Sequence, residues 1–360
     1  MTWHWWAAAA AGGLAVAALV VALLGRRLLL ERLRSRQADP AQSLVDEHEG
    51  SGQRVAFVAN PTKPGADEAK ERAFAACAAR GLPEPLWYET TAEDPGVGQT
   101  RDAVAAGADV VVAVGGDGTV RAVAEALAGT PVPMALLPQG TGNLLARNLD
   151  LPLGDLDELL RIAVVGLDRM IDVGRLTVDK GEAAGTSHLF LVIAGVGFDA
   201  AMVADADEQL KARVGWVAYF VAGVRHLHAR RLRLEAQLDD GPWYALRLRT
   251  LLVGNCGRLP GGITLLPDAV IDDGWLDVGA IDVRAGMLGW TQLFGAVVAQ
   301  GFGVRAELPG AIGHIDHARA QTTRVRLREP QPVQVDGDLV GGALELTATV
   351  EPRALTVRVA

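Results

Sequence analysis

Residues 110–128 read VVVAVGGDGTVRAVAEALA: an apolar run, a glycine-rich turn and a helix-patterned stretch in immediate succession. Val110 to Val114 is short, continuous and β-branched, as expected of a buried strand. In the turn, Gly115, Gly116 and Gly118 let backbone N–H groups come close to a ligand. The helix that follows, starting about Thr119, points its positive end at the same spot, which suits phosphate. Asp117 lies among these groups, and its carboxylate would repel phosphate unless a cation or donor lay between them. The turn therefore suggests a magnesium–nucleotide site. Its spacing is neither the loop ending in Gly-Lys-Ser/Thr nor the Gly-x-Gly-x-x-Gly dinucleotide pattern. A tight glycine turn between strand and helix is the plainer alternative.

Two further loops repeat the arrangement. Pro138-Gln139-Gly140-Thr141-Gly142-Asn143 follows the apolar run Pro133 to Leu137 and precedes a helix-like Leu144-Leu145-Ala146-Arg147-Asn148. Val55 to Ala59 reads as a first strand ending in Asn60-Pro61, with Thr62 and Lys63 after it. In an open parallel sheet, ligands bind at the carboxyl edge of the strands. Three such loops on one edge are hard to explain by packing alone.

These pieces, in this order, resemble the diacylglycerol kinase catalytic-domain family, which includes sphingosine, ceramide and bacterial lipid kinases. The likeness continues through Gly195-Val196-Gly197-Phe198-Asp199, through Pro267-Asp268-Ala269 leading to Asp272-Asp273-Gly274, and into Asp336-Gly337-Asp338. It runs from about residue 54 to the C-terminus. The nucleotide loop alone is shared with NAD kinases and phosphofructokinases and does not select the substrate.

Composition bounds the reading. At 360 residues the chain is long enough for two domains. Half the residues are hydrophobic but only 5% are aromatic, so Ala, Val and Leu build the core. A net charge of −9 argues against nucleic acid as the main partner. Cys77 and Cys256 are too few and too far apart for a disulfide framework or a zinc site.

The N-terminus carries its own signal. Trp5 to Leu24 is free of charge and has the length of a bilayer-crossing helix, with Trp3, Trp5 and Trp6 at one end. Arg26, Arg27, Arg32, Arg34 and Arg36 follow, against Glu31 alone. Positive flanks stay cytoplasmic, so the expectation is a single-pass inner-membrane protein with cytoplasmic catalytic domains. A cleaved signal peptide would have the reverse order of charge and apolar stretch.

The expected organisation is an anchor at 1–25, a basic juxtamembrane segment and linker at 26–53, a nucleotide-binding domain at 54–162 and a β-rich domain at 163–360. Strands and helices alternate up to about Leu160, which predicts an α/β domain with a doubly wound parallel sheet. Beyond Ala163, short β-patterned runs predict a sandwich-like second domain. They include His188–Ala194, Leu246–Gly254, Arg324–Leu327, Val333–Val335, Leu344–Val350 and Ala354–Val359. Helices are expected at Glu208–Arg225 and about Met287–Gln300.

The resemblance implies ATP and magnesium as cofactors, and a cleft between the domains as the active site. It places Gly115, Gly116, Asp117, Gly118 and Thr119 around the phosphates, with Gly140, Thr141 and Asn143 completing the pocket. Asn60 and Lys63 lie at the end of the first strand, where Lys63 could offset phosphate charge or simply be an exposed loop lysine. Thr91 (or its neighbour Thr90) matches a nucleotide-contacting threonine. Asp338 falls where the family has glutamate as the candidate base; it is one methylene shorter, and an Asp-Gly-Asp hairpin turn is the alternative. Asp273, with Asp272 nearby, resembles the family's structural magnesium site, and hard oxygen donors suit that ion. Where relatives carry glutamate, this chain has Ala122, and Glu125 one turn later is the candidate substitute.

The expected activity is ATP-dependent phosphorylation of a lipid alcohol, diacylglycerol by default, at the inner membrane face. Phosphorylation of a soluble substrate such as NAD, or an inactive lipid- and nucleotide-binding relative, are the other readings. Lipid substrate and membrane are the expected partners, and a homodimer is left open.

Overall fold

Four parallel strands open the fold: β1 (Val55–Ala59), β2 (Leu86–Glu89), β3 (Val110–Gly115) and β4 (Met134–Pro138). The computed structural model describes residues 52–179, 185–197, 231–259, 263–283 and 313–360. The four strands lie in the order β4-β3-β1-β2, with Val55 opposite Val110 and Val111 opposite Met134. Their Val, Ala and Leu side chains are almost all buried in β1, β3 and β4, as a sheet covered on both faces requires. Phe57 of β1 stacks on Trp87 of β2, ring centres 5.6 Å apart.

Helices α1 (Ala66–Ala79), α2 (Val97–Ala105) and α3 (Asp117–Leu127) make the crossovers, and α4 (Leu144–Asn148) and α5 (Leu156–Val165) follow β4. α1 packs with α5, and α2 with α3, so the sheet is covered by two separate helix pairs, as a doubly wound sheet needs. The chain runs outward from β1 to β2 and then returns to β3 on the other side. That reversal opens a crevice at the carboxyl ends of β1 and β3, where Asn60 and the Gly115–Thr119 turn lie.

The rest is β-rich: β5 (Leu167–Asp179), β6 (Thr186–Phe190), β7 (Ile193–Gly197), β8 (Leu232–Leu238), β9 (Tyr244–Leu248), β10 (Thr250–Gly254), β11 (Arg258–Leu259), β12 (Ile263–Thr264), β13 (Leu276–Val283), β14 (Gly313–Ala320), β15 (Thr322–Val335) and β16 (Asp338–Val359). Pairing here is antiparallel. The final strand joins the halves: β16 pairs with β15 and β5, and its Val357 lies parallel to Met134 of β4. One core lies under the parallel sheet and reaches Leu355 and Val357; a second fills the β-rich half around Phe190, Val253 and Val333.

Several expectations are corrected. α5 was not predicted, although Asp155 accepts the amide of Glu158 at 3.0 Å as an N-cap. The runs expected as separate strands at 324–327 and 333–335 form one strand, β15, and those at 344–350 and 354–359 form one strand, β16. Their pairing slips between Arg326 and Gln331, and again between Glu351 and Leu355, which breaks the alternation of side chains. The stretches 188–194 and 246–254 each divide into two strands. The expected helices at 208–225 and 287–300, and the expected anchor, lie outside the described residues. Among the described residues no helix is long and apolar enough to cross a membrane.

Candidate active site

The phosphate loop and the Gly140 loop meet backbone to backbone. Gly116 is the N-cap of α3 and no side chain caps the helix, so its first amides face the crevice. A Cβ added to Gly140 would lie 2.8 Å from the Cα of Gly116, so any side chain there would wedge the loops apart. Lys63 reaches the same place: a Cβ on Gly116 would lie 3.7 Å from its Cε and 3.9 Å from its Nζ. The structure thus puts the Lys63 ammonium beside the turn that the sequence marks for phosphate.

Asp117 ties the two loops together. Its Oδ2 accepts the amide of Asn143 at 2.9 Å, and its Oδ1 accepts that of Leu144, at the start of α4, at 2.6 Å. Asn143 adopts a left-handed φ of 48° and clamps Gly140 twice, accepting from its amide at 2.9 Å and donating to its carbonyl at 2.8 Å. Burial pushes the Asp117 carboxyl up from the usual 3.8 to about 6. The amides of Leu144 and Asn143 pull it down, and the charges of Asp336 and Asp338 push it up.

The second wall comes from the hairpin between β15 and β16. Asp336 (φ 48°) and Gly337 (φ 88°) form its two-residue turn, with the positive φ pair of a type I′ hairpin. The buried Asp336 carboxylate accepts the amides of Leu191, Val192 and Ile193 at 2.8, 2.9 and 2.9 Å, which fixes the hairpin to the turn before β7. Burial still raises its carboxyl above the usual range. Asp338 is exposed, and its Oδ2 accepts from Arg121 Nη2 at 2.8 Å. A Cβ on Gly118 would lie 3.6 Å from that same Oδ2. The candidate base therefore sits against the phosphate loop, from a position 220 residues further along the chain than Gly118 (338 − 118).

Other expected residues serve nearby structure. Thr119 is buried, with its hydroxyl 2.6 Å from where a Cβ of Gly115 would be, so Gly115 makes room for it. Asn60 turns its Oδ1 back onto the amide and hydroxyl of Thr62, at 3.0 and 2.7 Å. Thr91 is exposed and its hydroxyl accepts the amide of Asp94 at 3.1 Å, closing the turn into α2; Thr90 is buried. Thr141 is exposed on its loop.

Asp272 and Asp273 are engaged by arginines. Asp272 Oδ2 accepts from Arg169 Nε and Nη2 at 2.9 and 2.8 Å, and Asp273 pairs with Arg319. Among the described residues no group of three or more His, Cys, Asp and Glu is placed to hold a metal ion. Glu125 faces away from the phosphate loop as well: it accepts from Arg175 Nη1 at 2.9 Å and from the amide of Leu189 at 3.2 Å. Ala122 is buried, and a Cβ on Gly96 would lie 3.6 Å from its own. The replacement expected of Glu125 does not occur in this structure.

Sequence reasoning missed Arg121 and Arg147. Arg147 Nε donates to the carbonyl of Gly142 at 2.7 Å and so braces the second loop. Arg147 stood inside the quoted motif, and its motif position is the signal that could have found it. Arg121 had no such signal, because its partners lie on the hairpin.

Comparison with known proteins gives the family of the chain. Residues 54–176 match the diacylglycerol kinase catalytic domain, and residues 191–359 match the YegS C-terminal NAD kinase beta sandwich-like domain. A protein of Pseudomonas aeruginosa named "probable lipid kinase YegS-like" is 34% identical over 261 residues, which cover 71% of this chain and 78% of the relative. One of the same name from Pseudomonas syringae pv. tomato is 34% identical over 267 residues, 71% and 77% of the two chains. The chain belongs to the diacylglycerol kinase catalytic-domain family, with the YegS-like lipid kinases. In fold it is similar to a crystal structure titled as a diacylglycerol kinase from Bacillus anthracis str. Sterne, with a TM-score of 0.64 and 22% identity. That match covers 86% of this chain and 97% of the other. The α/β domain followed by a β-rich domain is the arrangement of this kinase family.

Proposed function

We propose that this chain transfers the γ-phosphoryl group of ATP to the hydroxyl of a lipid alcohol, with diacylglycerol as acceptor and phosphatidic acid as product. The observation that carries the reading is the approach of Asp338 to the phosphate loop at Gly118. Phosphoryl transfer needs positioning, charge stabilisation and a group to accept the hydroxyl proton. Amides at the start of α3 and the Lys63 ammonium supply the first two at one edge of the crevice. Asp338, exposed on the opposite wall, is placed to take the proton.

Magnesium bound with ATP would spread charge over the transferring phosphoryl group, and Asp117, the carboxylate of the phosphate loop, is the residue that would face it. Asp272 and Asp273, read from the sequence as a separate structural magnesium site, are each paired with an arginine in this arrangement. Attack of the hydroxyl oxygen on the γ-phosphorus breaks the bond to the β-phosphate oxygen. The proton passes to the Asp338 carboxylate, and ADP and the phosphorylated lipid leave. The charge-free stretch Trp5 to Leu24 and the arginines that follow it support a setting at the inner face of a membrane.

Asp338→Asn keeps size and hydrogen bonding but removes the basic carboxylate. Turnover should fall by about 10²–10⁴-fold with little change in the KM for ATP. Full turnover in that variant removes Asp338 from the mechanism. A second reading, phosphorylation of NAD, is favoured by the match of residues 191–359 to an NAD kinase beta sandwich-like domain. Offering NAD and diacylglycerol to the same preparation separates the two.

A further inference from the structure

We infer that Arg121 is a positioning residue that holds the Asp338 carboxylate in its working direction and couples it to the phosphate loop. This rests on the reading of Asp338 as the base. Arg121 stands on α3, two residues beyond Thr119, so its backbone moves with the loop that receives the phosphates. Its guanidinium spans both sides of the hairpin: Nη1 donates to the carbonyl of Val335 at 2.6 Å and Nη2 to Asp338 Oδ2 at 2.8 Å.

Val335 is the last residue of β15 and Asp338 the first of β16, so one planar fork grips the hairpin on both strands. The pair is half shielded, with 22% of the Arg121 side chain exposed against 55% of Asp338. Among the described residues Asp338 Oδ1 accepts no hydrogen bond, so the engaged oxygen is fixed and the other is left for a substrate hydroxyl. A solvent-exposed aspartate without this fork would sample several side-chain directions. Aspartate is also one methylene shorter than the glutamate usual at this position, and a fixed direction limits what that shortening costs. Filling the phosphate loop and aiming the base thus become one event on α3.

The test is steady-state kinetics of the full-length protein with labelled ATP and diacylglycerol in mixed micelles. Wild type, Arg121→Ala, Asp338→Asn and the double variant are compared. Arg121→Ala should lower kcat by about 10- to 100-fold and leave the KM for ATP unchanged, because a misdirected base costs rate rather than nucleotide binding. In the Asp338→Asn background the same change should cost nothing further, since a positioning residue has nothing left to position. Arg121→Lys should recover part of the rate, because its ammonium reaches one acceptor but cannot bridge both. Arg121→Gln takes the place of the alanine variant if that protein fails to fold.

Additive losses in the double variant, or a loss carried by the KM for ATP, would overturn the inference and place Arg121 on the nucleotide or in the fold. Full turnover in Arg121→Ala alone overturns the inference and leaves the base reading standing. Full turnover in Asp338→Asn removes both.

Discussion

Asp117 shows how one side chain can serve both the fold and the chemistry. From the sequence it is a loop carboxylate near phosphate; in the structure it also holds the amides of Asn143 and Leu144. Its raised carboxyl, about 6 against 3.8, has a consequence for stability in metal-free protein. The folded state holds the proton more tightly than the unfolded chain does. Its contribution is therefore fully present at low pH and is lost as pH rises from about 4 to about 6. Asp336, raised in the same direction, adds to that trend in both proteins. Denaturant unfolding of wild type and Asp117→Asn, followed from pH 4 to 7 with chelator, isolates Asp117. The stability of wild type relative to the variant should fall across the window and flatten above it. A difference that stays level or rises would show that the carboxyl is not raised. At this scale the glycines and Asp117 were legible because each sits in a loop right after a strand, whereas Lys63 reads equally as a loop lysine until the fold brings it beside Gly116. The partner of Asp338 was not, because Arg121 lies 217 residues away and only the folded hairpin brings them together.

α3 is the element on which the site turns. Its first residues form the phosphate loop, Arg121 reaches the hairpin, and Glu125 reaches Arg175, which also pairs with Glu351. The sequence offers Glu125 only as a candidate substitute for the glutamate missing at Ala122, whereas the structure gives it to this ion triad between α3, β5 and β16. Glu125→Gln should therefore cost about 1–3 kcal/mol of stability, as loss of a charged hydrogen-bond partner does. The KM for ATP should not move. Urea unfolding beside ATP kinetics tests this, and a raised KM for ATP with unchanged stability would return Glu125 to the nucleotide. The parallel strands and crossover helices were readable because buried apolar runs alternate with glycine turns. β15 and β16 were read as fragments because register slips interrupt their side-chain alternation. α5 is less legible because Pro152 and Gly154 read as a turn, and Asp155 alone marks the start of the helix.

In the whole molecule, β16 makes one sheet of the two halves and carries the base hairpin at its other end. The phosphate loop and the base thus belong to a single framework, joined across the crevice by Arg121. The sequence adds a proposed membrane tether. Deleting residues 1–36 should give a protein that turns over detergent-dispersed lipid but loses most activity on intact membranes, because tethering raises the local concentration of catalytic domain at the lipid surface. Recovery of the full-length protein in the soluble fraction without detergent would contradict the tether. The central claim, transfer from ATP to a lipid hydroxyl, is tested most directly by following the label itself. Purified full-length protein is incubated with ATP labelled in the γ-phosphate, magnesium, NAD and a total lipid extract, and the products are partitioned between solvent and water. The account predicts label in a single phosphorylated lipid, lost in Asp338→Asn. Label in NADP with none in the lipid phase would contradict it.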